Sequence, residues 1–439
     1  MLDHSLRAQI RMTTHGHPHH EPPRRRNRAI RIALVPPVII AIVLAAGCGA
    51  GAGEVELRLQ PLDSPASAGS SEPNLFARDG DVLISWQESL AGGGHALRFA
   101  RLEGDAWTPA RTIAEGDGWF VNWADFPSIV GLPDGRLAAH WLVRSGPGTY
   151  AYDVHIALSE DGGGTWSDAI VPHDDGTETE HGFASLFPWA DGSLAAVWLD
   201  GRNFAGVENG HDGHGGGPDM TLRQTTLSRS GARGADVVID PRVCDCCQTS
   251  VALTTDGPAV FYRDRSADEI RDIAVSRFRN GAWTAPATVH DDGWRITGCP
   301  VNGPASSAYG SRVAVAWFTA ADDDPRVLLA FSEDSGRSFG EPVRVDAGDP
   351  IGRVDVVLDR EAKALVSWVE RAGEEAEIRL RMVTPAGAVD AWRIAGTSTA
   401  RASGFPRIAR AGDDLVVAWT EPGQNGGPSH VRTALARLR

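Results

Sequence analysis

Lysine is almost missing from this chain: Lys363 stands alone, and arginine supplies the remaining positive charge. The formal net charge is -15. So acidic a chain lacks the basic face that neutralises phosphates, which excludes a nucleic-acid partner. Long apolar runs are scarce as well. The longest, "IALVPPVIIAIVLAAG" (32–47), is short for a membrane span and broken by a Pro-Pro pair. No segment of any length follows the helical period, which leaves strands to build the core. Tyrosines number 4 and cysteines 5. By contrast Gly 50 and Pro 27 are plentiful and imply many turns, while 42% hydrophobic and 23% charged residues fit a soluble globular body.

The N-terminus reads as an export signal. "PRRRNRAIR" is a positive n-region ahead of the apolar run, which ends at Cys48. "LAAGC" resembles the bacterial lipobox, although Ala45 holds the place usual for Leu, and Leu44 lies one step earlier. The resemblance implies removal of residues 1–47 as a lipoprotein signal peptide, lipidation of Cys48, a flexible tether over 48–53 and a folded body over 54–439. The expected location is the bacterial cell envelope, lipid-anchored and facing periplasm or exterior, where disulfides persist.

The body repeats itself. An apolar strand, a turn often built on Asp-Gly, and a second apolar strand ending in Trp recur about every 50–60 residues. The column reads Trp86, Trp141, Trp198, Tyr262, Trp317, Trp368 and Trp419, and each unit continues into a second hairpin such as "ALRFARLEGDAWTPARTI". Four short strands per unit, with no linkers between units, predict an all-β fold: a seven-bladed β-propeller of four-stranded antiparallel blades. The last unit stops without its fourth strand. "EVELRLQPL" (54–62) precedes the first unit and is predicted to fill that vacancy, closing a monomeric ring and removing its exposed edges.

Two outer turns, "SEDGGGTW" (159–166) and "SEDSGRSF" (332–339), resemble the Asp-box of the sialidase-like superfamily. Ser159, Asp161, Gly163 and Trp166 fill its positions in one copy, and Ser332, Asp334, Gly336 and Phe339 in the other. The resemblance implies a propeller that binds, and in sialidases hydrolyses, an anionic glycan. It does not supply a catalytic set. "EPNLF" lacks the arginine that the family places on its first inner strand, and the last two blades contain no tyrosine.

In a propeller, the segments entering the inner strands and the loops leaving the second strands share one face around the channel. That face is predicted to gather Asp125 and His181 as candidate acid/base groups. Arg353 and Arg407 are candidate clamps for a carboxylate or sulfate, surrounded by Arg202, Arg263 and Arg265. It also gathers Cys244, Cys246 and Cys247 from "RVCDCCQTS", Cys299 from "TGCPVNG", and His211 and His214 from a glycine-rich loop. Three readings of the sulfurs stay open: two disulfides, with Cys244–Cys247 and Cys246–Cys299 the preferred pairing; a copper or zinc site joined by His181 or His211; or a redox-active dithiol. The alternatives to glycan binding are therefore a Cys/His metal or redox protein and a non-catalytic scaffold for another protein.

Overall fold

The structure is a computed structural model, and it describes residues 56–207 and 218–438. The signal segment, the tether, Cys48, His211 and His214 lie outside the described residues. Within them, short antiparallel strands succeed one another in seven sheets, and the only helical elements are single 3-10 turns. In chain order the inner strands are Ser70–Arg78, Ser128–Gly131, His181–Pro188, Ser250–Thr254, Ala305–Tyr309, Pro350–Leu358 and Arg407–Ala411. Each opens one blade, numbered 1 to 7.

Ring closure follows the sequence expectation. Leu57–Leu62 pairs antiparallel with His430–Leu438, completing blade 7 as its outermost strand. Blade 2 departs from the four-strand rule. It has three strands, and its outer edge is met by the isolated bridges Tyr152–Glu180 and Ile156–Ile170.

Side chains alternate across each pleat, so both faces of a blade bury apolar residues against the neighbouring blades. The result is seven apolar clusters, one per blade interface. That between blades 7 and 1 joins Leu75, Ile84 and Trp86 to Val416, Val431 and Leu435. The tryptophan column lies inside these interfaces, where an indole N–H must find an acceptor. Trp86, Trp198 and Trp368 each donate to the acid two residues further on: Glu88 (2.8 Å), Asp200 (2.8 Å) and Glu370 (2.6 Å). Tyr262, in the same column, donates to Asp240 at 2.7 Å.

The two turns singled out in the sequence share one bonding pattern. Ser159 Oγ donates to Asp161 and accepts from the Gly163 N–H, and Ser332 does the same with Asp334 and Gly336. The aspartates then accept from the backbone and hydroxyl of Thr165 and of Ser338. Gly163 has a φ of +88°, and a Cβ there would lie 2.3 Å from Phe99, so only glycine fits. Trp166 and Phe339 pack edge-on against Phe99 and Phe261.

Candidate functional site at the channel mouth

The inner strands of all seven blades enclose a channel of about 470 Å³. At one end the strands of blades 1, 3 and 6 carry bulges, with Glu72, Phe183 and Arg353 at positive φ. A bulge turns an inner-strand N–H towards the next blade. Phe183 N–H donates to Asp125 (2.9 Å), Arg353 N–H to Asn302 (2.7 Å) and Glu72 N–H to Thr420 (3.2 Å). Gln248 makes a further link, accepting from Gly303 N–H at 2.8 Å while its amide donates to the Ala124 carbonyl. The mouth is thus a belt of side chains bonded to neighbouring backbone.

Asp125 belongs to that belt and is buried. Its other oxygen receives the Tyr152 hydroxyl at 2.7 Å, and the same hydroxyl lies 3.0 Å from Glu180. A phenol has one proton for two carboxyls, so one carboxyl must itself be protonated. Burial raises Asp125 to about 7, against the hydrogen bonds from Tyr152 and Phe183. Burial also raises Glu180 well above the carboxylate range, helped by the charge of Asp125. Tyr152 and Glu180, which the sequence reading did not single out, form a phenol–carboxyl couple sealed from solvent. It holds blades 2 and 3 together and offers no exposed nucleophile.

His181 starts the inner strand of blade 3 and stacks on His173, with ring centroids 3.7 Å apart and planes 19° apart. Two carboxylates bracket the stack. Asp153 lies 3.0 Å from His181 Nδ1 and 3.4 Å from His173 Nε2, and Asp175 lies 3.2 Å from His181 Nε2 and 3.0 Å from His173 Nδ1. Burial disfavours a charged His181, but the bonds to Asp153 and Asp175 overcome it and hold the imidazole up at about 9. Asp153, His173 and His181 bring ligand atoms within 4.8 Å of one another. Rings stacked nearly parallel cannot both direct a lone pair at one ion, so this geometry suits an imidazolium shared between carboxylates. His181 therefore joins neither the cysteines nor an acid/base pair facing solvent, correcting both expectations.

The sulfurs do converge. A tight turn at Asp245–Cys246 brings Cys244 and Cys247 to an Sγ separation of 3.3 Å. All four described cysteines are free thiols. Cys244, Cys246 and Cys247 lie within 4.8 Å of one another, and Cys299 approaches Cys246. Burial pushes Cys244 up, but hydrogen bonds from Cys246 and Cys247 and the charges of Arg271 and Arg263 bring it well below the ordinary thiol range. Arg271 Nη1 donates to Cys244 Sγ at 3.4 Å. Burial pushes the thiols of Cys246 and Cys247 up. Arg271 went unnoticed in the sequence because nothing in "DEIRDI" marks it as facing sulfur.

The five nominated arginines divide sharply. Arg353 does not point down the channel: Nη1 donates to Ser403 Oγ (2.6 Å) and to the carbonyls of Ala400 and Gly404, and its guanidinium covers Trp123. Arg263 donates to the carbonyls of Asn302, Arg271 and Phe318. Arg265 pairs with Glu269, and Arg202 forks onto Asp200 while also meeting Asp236. Only Arg407 lines the channel. It lies over Phe126, with Nε 3.3 Å from Asp355, and its guanidinium donates no hydrogen bond among the described residues. Trp123, Phe126 and Phe405 form an aromatic collar beside it.

No protein-family model matches the chain, and no curated protein matches it. Solved structures do. An ulvan lyase of polysaccharide lyase family PL25 aligns with TM-score 0.55 and 10% identity, covering 87% of this chain and 98% of that one. NanB sialidase from Streptococcus pneumoniae (K499G mutant) aligns with TM-score 0.43 and 10% identity over 81% and 83%. Penicillium chrysogenum α-L-arabinanase follows at 0.45 and 14% over 84% and 93%. At these identities the likeness to the ulvan lyase is one of fold alone: this chain is a seven-bladed β-propeller.

Proposed function

We propose that the protein is an envelope lipoprotein of the sialidase-like superfamily whose channel binds an acidic glycan without cleaving it. The observation that carries the reading is Arg407, whose guanidinium stands at the wall of a channel of about 470 Å³ with Asp355 as its ion-pair partner and no hydrogen bond among the described residues. An arginine fork suits a carboxylate or sulfate, and Phe126 and Phe405 add an apolar stretch to the channel wall beside it. Hydroxyls of Ser128, Ser185, Thr249 and Ser306 line the wall below. The ulvan lyase was solved bound to -[GlcA(1-4)Rha3S]-, a sugar both carboxylated and sulfated, which supports looking first among such glycans. The two Asp-box-like turns agree with the superfamily assignment. Asp125 and His181 are internally bonded and buried, which argues for binding rather than hydrolysis.

The test is a glycan array with the full-length chain and its Arg407→Ala variant. Binding of uronate or sulfated glycans, weakened by high salt and at least 10-fold weaker in the variant, is the expected result. Equal signals from wild type and variant would sink the proposal, as would a preference for neutral glycans.

A further inference from the structure

The sugar reading leaves the cysteines unused. Cys244 and Cys247 face each other across the turn, Sγ to Sγ 3.3 Å, with Cys246 between them. Cys299 comes from the connection between blades 4 and 5 and lies beside Cys246, outside the 4.8 Å trio. We infer that these four thiols form a site for one thiophilic closed-shell cation, Zn²⁺ or Cu⁺. Cys244, Cys246 and Cys247 bind it from within, and Cys299 closes it from the solvent side.

Distance separates this from the disulfide alternative. A disulfide requires sulfurs about 2.05 Å apart. Four sulfurs each about 2.3 Å from a central ion stand about 3.8 Å apart. The trio, at 3.3 Å for its bonded pair and within 4.8 Å throughout, stands apart from a disulfide and close enough to close round one ion. Sulfur donors select soft or borderline ions over Mg²⁺ or Ca²⁺.

Thiolates gathered round one ion carry net negative charge, and the surroundings answer it. Arg271 is buried, donates to Cys244 Sγ and spans to Glu269 with its other arm (2.9 Å). Such second-shell donors orient thiolate ligands and offset their charge. The turn is also fixed without an ion. Cys244 N–H donates to the Arg263 carbonyl at 3.0 Å, and Gln248, next along the chain, is bonded at both ends of its amide. A site so held loses little freedom on binding. Cys299 is exposed and supplies the way in.

The experiment uses the full-length chain purified anaerobically. Thiols are counted by alkylation, then the metal-free protein is titrated with Zn²⁺ and, separately, with Cu⁺ against chromophoric chelators. The expected result is five reactive thiols in the metal-free protein, Cys48 among them, one ion bound per chain, and protection of the other four once it is bound. Cys246→Ser should lose at least about 100-fold in affinity and Cys299→Ser about 10-fold. One-to-one uptake in the Zn²⁺ arm or the Cu⁺ arm identifies the ion, and uptake in neither overturns the inference. So do thiols that appear only after reduction, since they would mean two disulfides. Should Cys246→Ser fail to fold, Cys299→Ser at the exposed rim carries the test, and unchanged affinity there overturns it. No sugar enters the assay, so its result is independent of the glycan reading.

Discussion

The imidazole pair between blades 2 and 3 and the thiol cluster between blades 4 and 5 are both gatherings of metal-ligating side chains, the second open to solvent at Cys299. They differ in what faces their ligand atoms. Every imidazole nitrogen of the first faces a carboxylate, and Arg202 balances the remaining acids from Asp175, Asp200 and Asp236. The second has sulfurs facing sulfurs, with one arginine N–H directed at them. The arginines repeat the contrast: Arg353 is saturated by backbone carbonyls, whereas Arg407 is not. Residue type alone does not separate a structural group from one available to a ligand. The charge that faces it does.

The comparison breaks first at the saturated end. Arg353→Ala should be the most damaging single change, leaving the Ala400 and Gly404 carbonyls without their donor and Trp123 uncovered. A loss of about 3 kcal/mol is expected. The check is the midpoint of a denaturant transition with its slope unchanged. A loss below about 0.5 kcal/mol would place Arg353 among the available groups.

His181→Phe comes next, at about 2–3 kcal/mol near neutral pH, because it strands Asp153 and Asp175 beside an apolar ring. The pH dependence follows from the raised pKa. A histidine ionised at about 9 when folded, and near 6.5 when unfolded, adds stability that is complete below pH 6.5 and lost as pH rises through 9. Thermal melts of wild type should therefore fall between pH 6.5 and 9, and those of the variant should stay flatter. Parallel curves for the two would mean that the stack carries no shared charge.

At the thiol cluster, Cys247→Ser should cost the metal-free protein only about 1 kcal/mol, since it exchanges one buried thiol for a hydroxyl of similar shape. The effect of the ion is larger. At a thousandfold excess over its dissociation constant, Zn²⁺ or Cu⁺ should add about 4 kcal/mol to wild type and little to the variant. Melts with and without the ion measure both. Equal gains would place the ion elsewhere.

Much of the architecture was legible beforehand because it rests on repetition. The Trp column, the Asp-Gly turns and the stray strand at 54–62 fixed the blade count and the closure, all from local pattern. The site was legible only as a neighbourhood. That Cys299 meets the 244–247 trio follows from adjacent blades, and the sequence reading reached it. That Arg353 turns away while Arg407 stays in the channel depends on the bulge at Gly352–Arg353, which tips one side chain out of the strand's alternation. A single-residue slip leaves no trace in an apolar pattern. His173, Glu180 and Arg271 were hidden for a related reason: each lies in an irregular connection or turn, and its partners come from other segments of the chain.

The smallest stability effect belongs to Arg407, and it sharpens the contrast most. Arg407→Lys keeps a positive charge near Asp355 and leaves the channel wall nearly unchanged, so folding stability should move by no more than about 0.5 kcal/mol. What it removes is the planar fork. A lysine offers one compact charge where arginine offers two parallel N–H donors, so a carboxylate or sulfate held bidentately should bind about 10-fold more weakly. A ligand drawn only by charge would bind Lys and Arg variants alike. Salt titration of both proteins then separates the cases: the two slopes should match, because the charge is the same, while the affinities stand apart at every ionic strength.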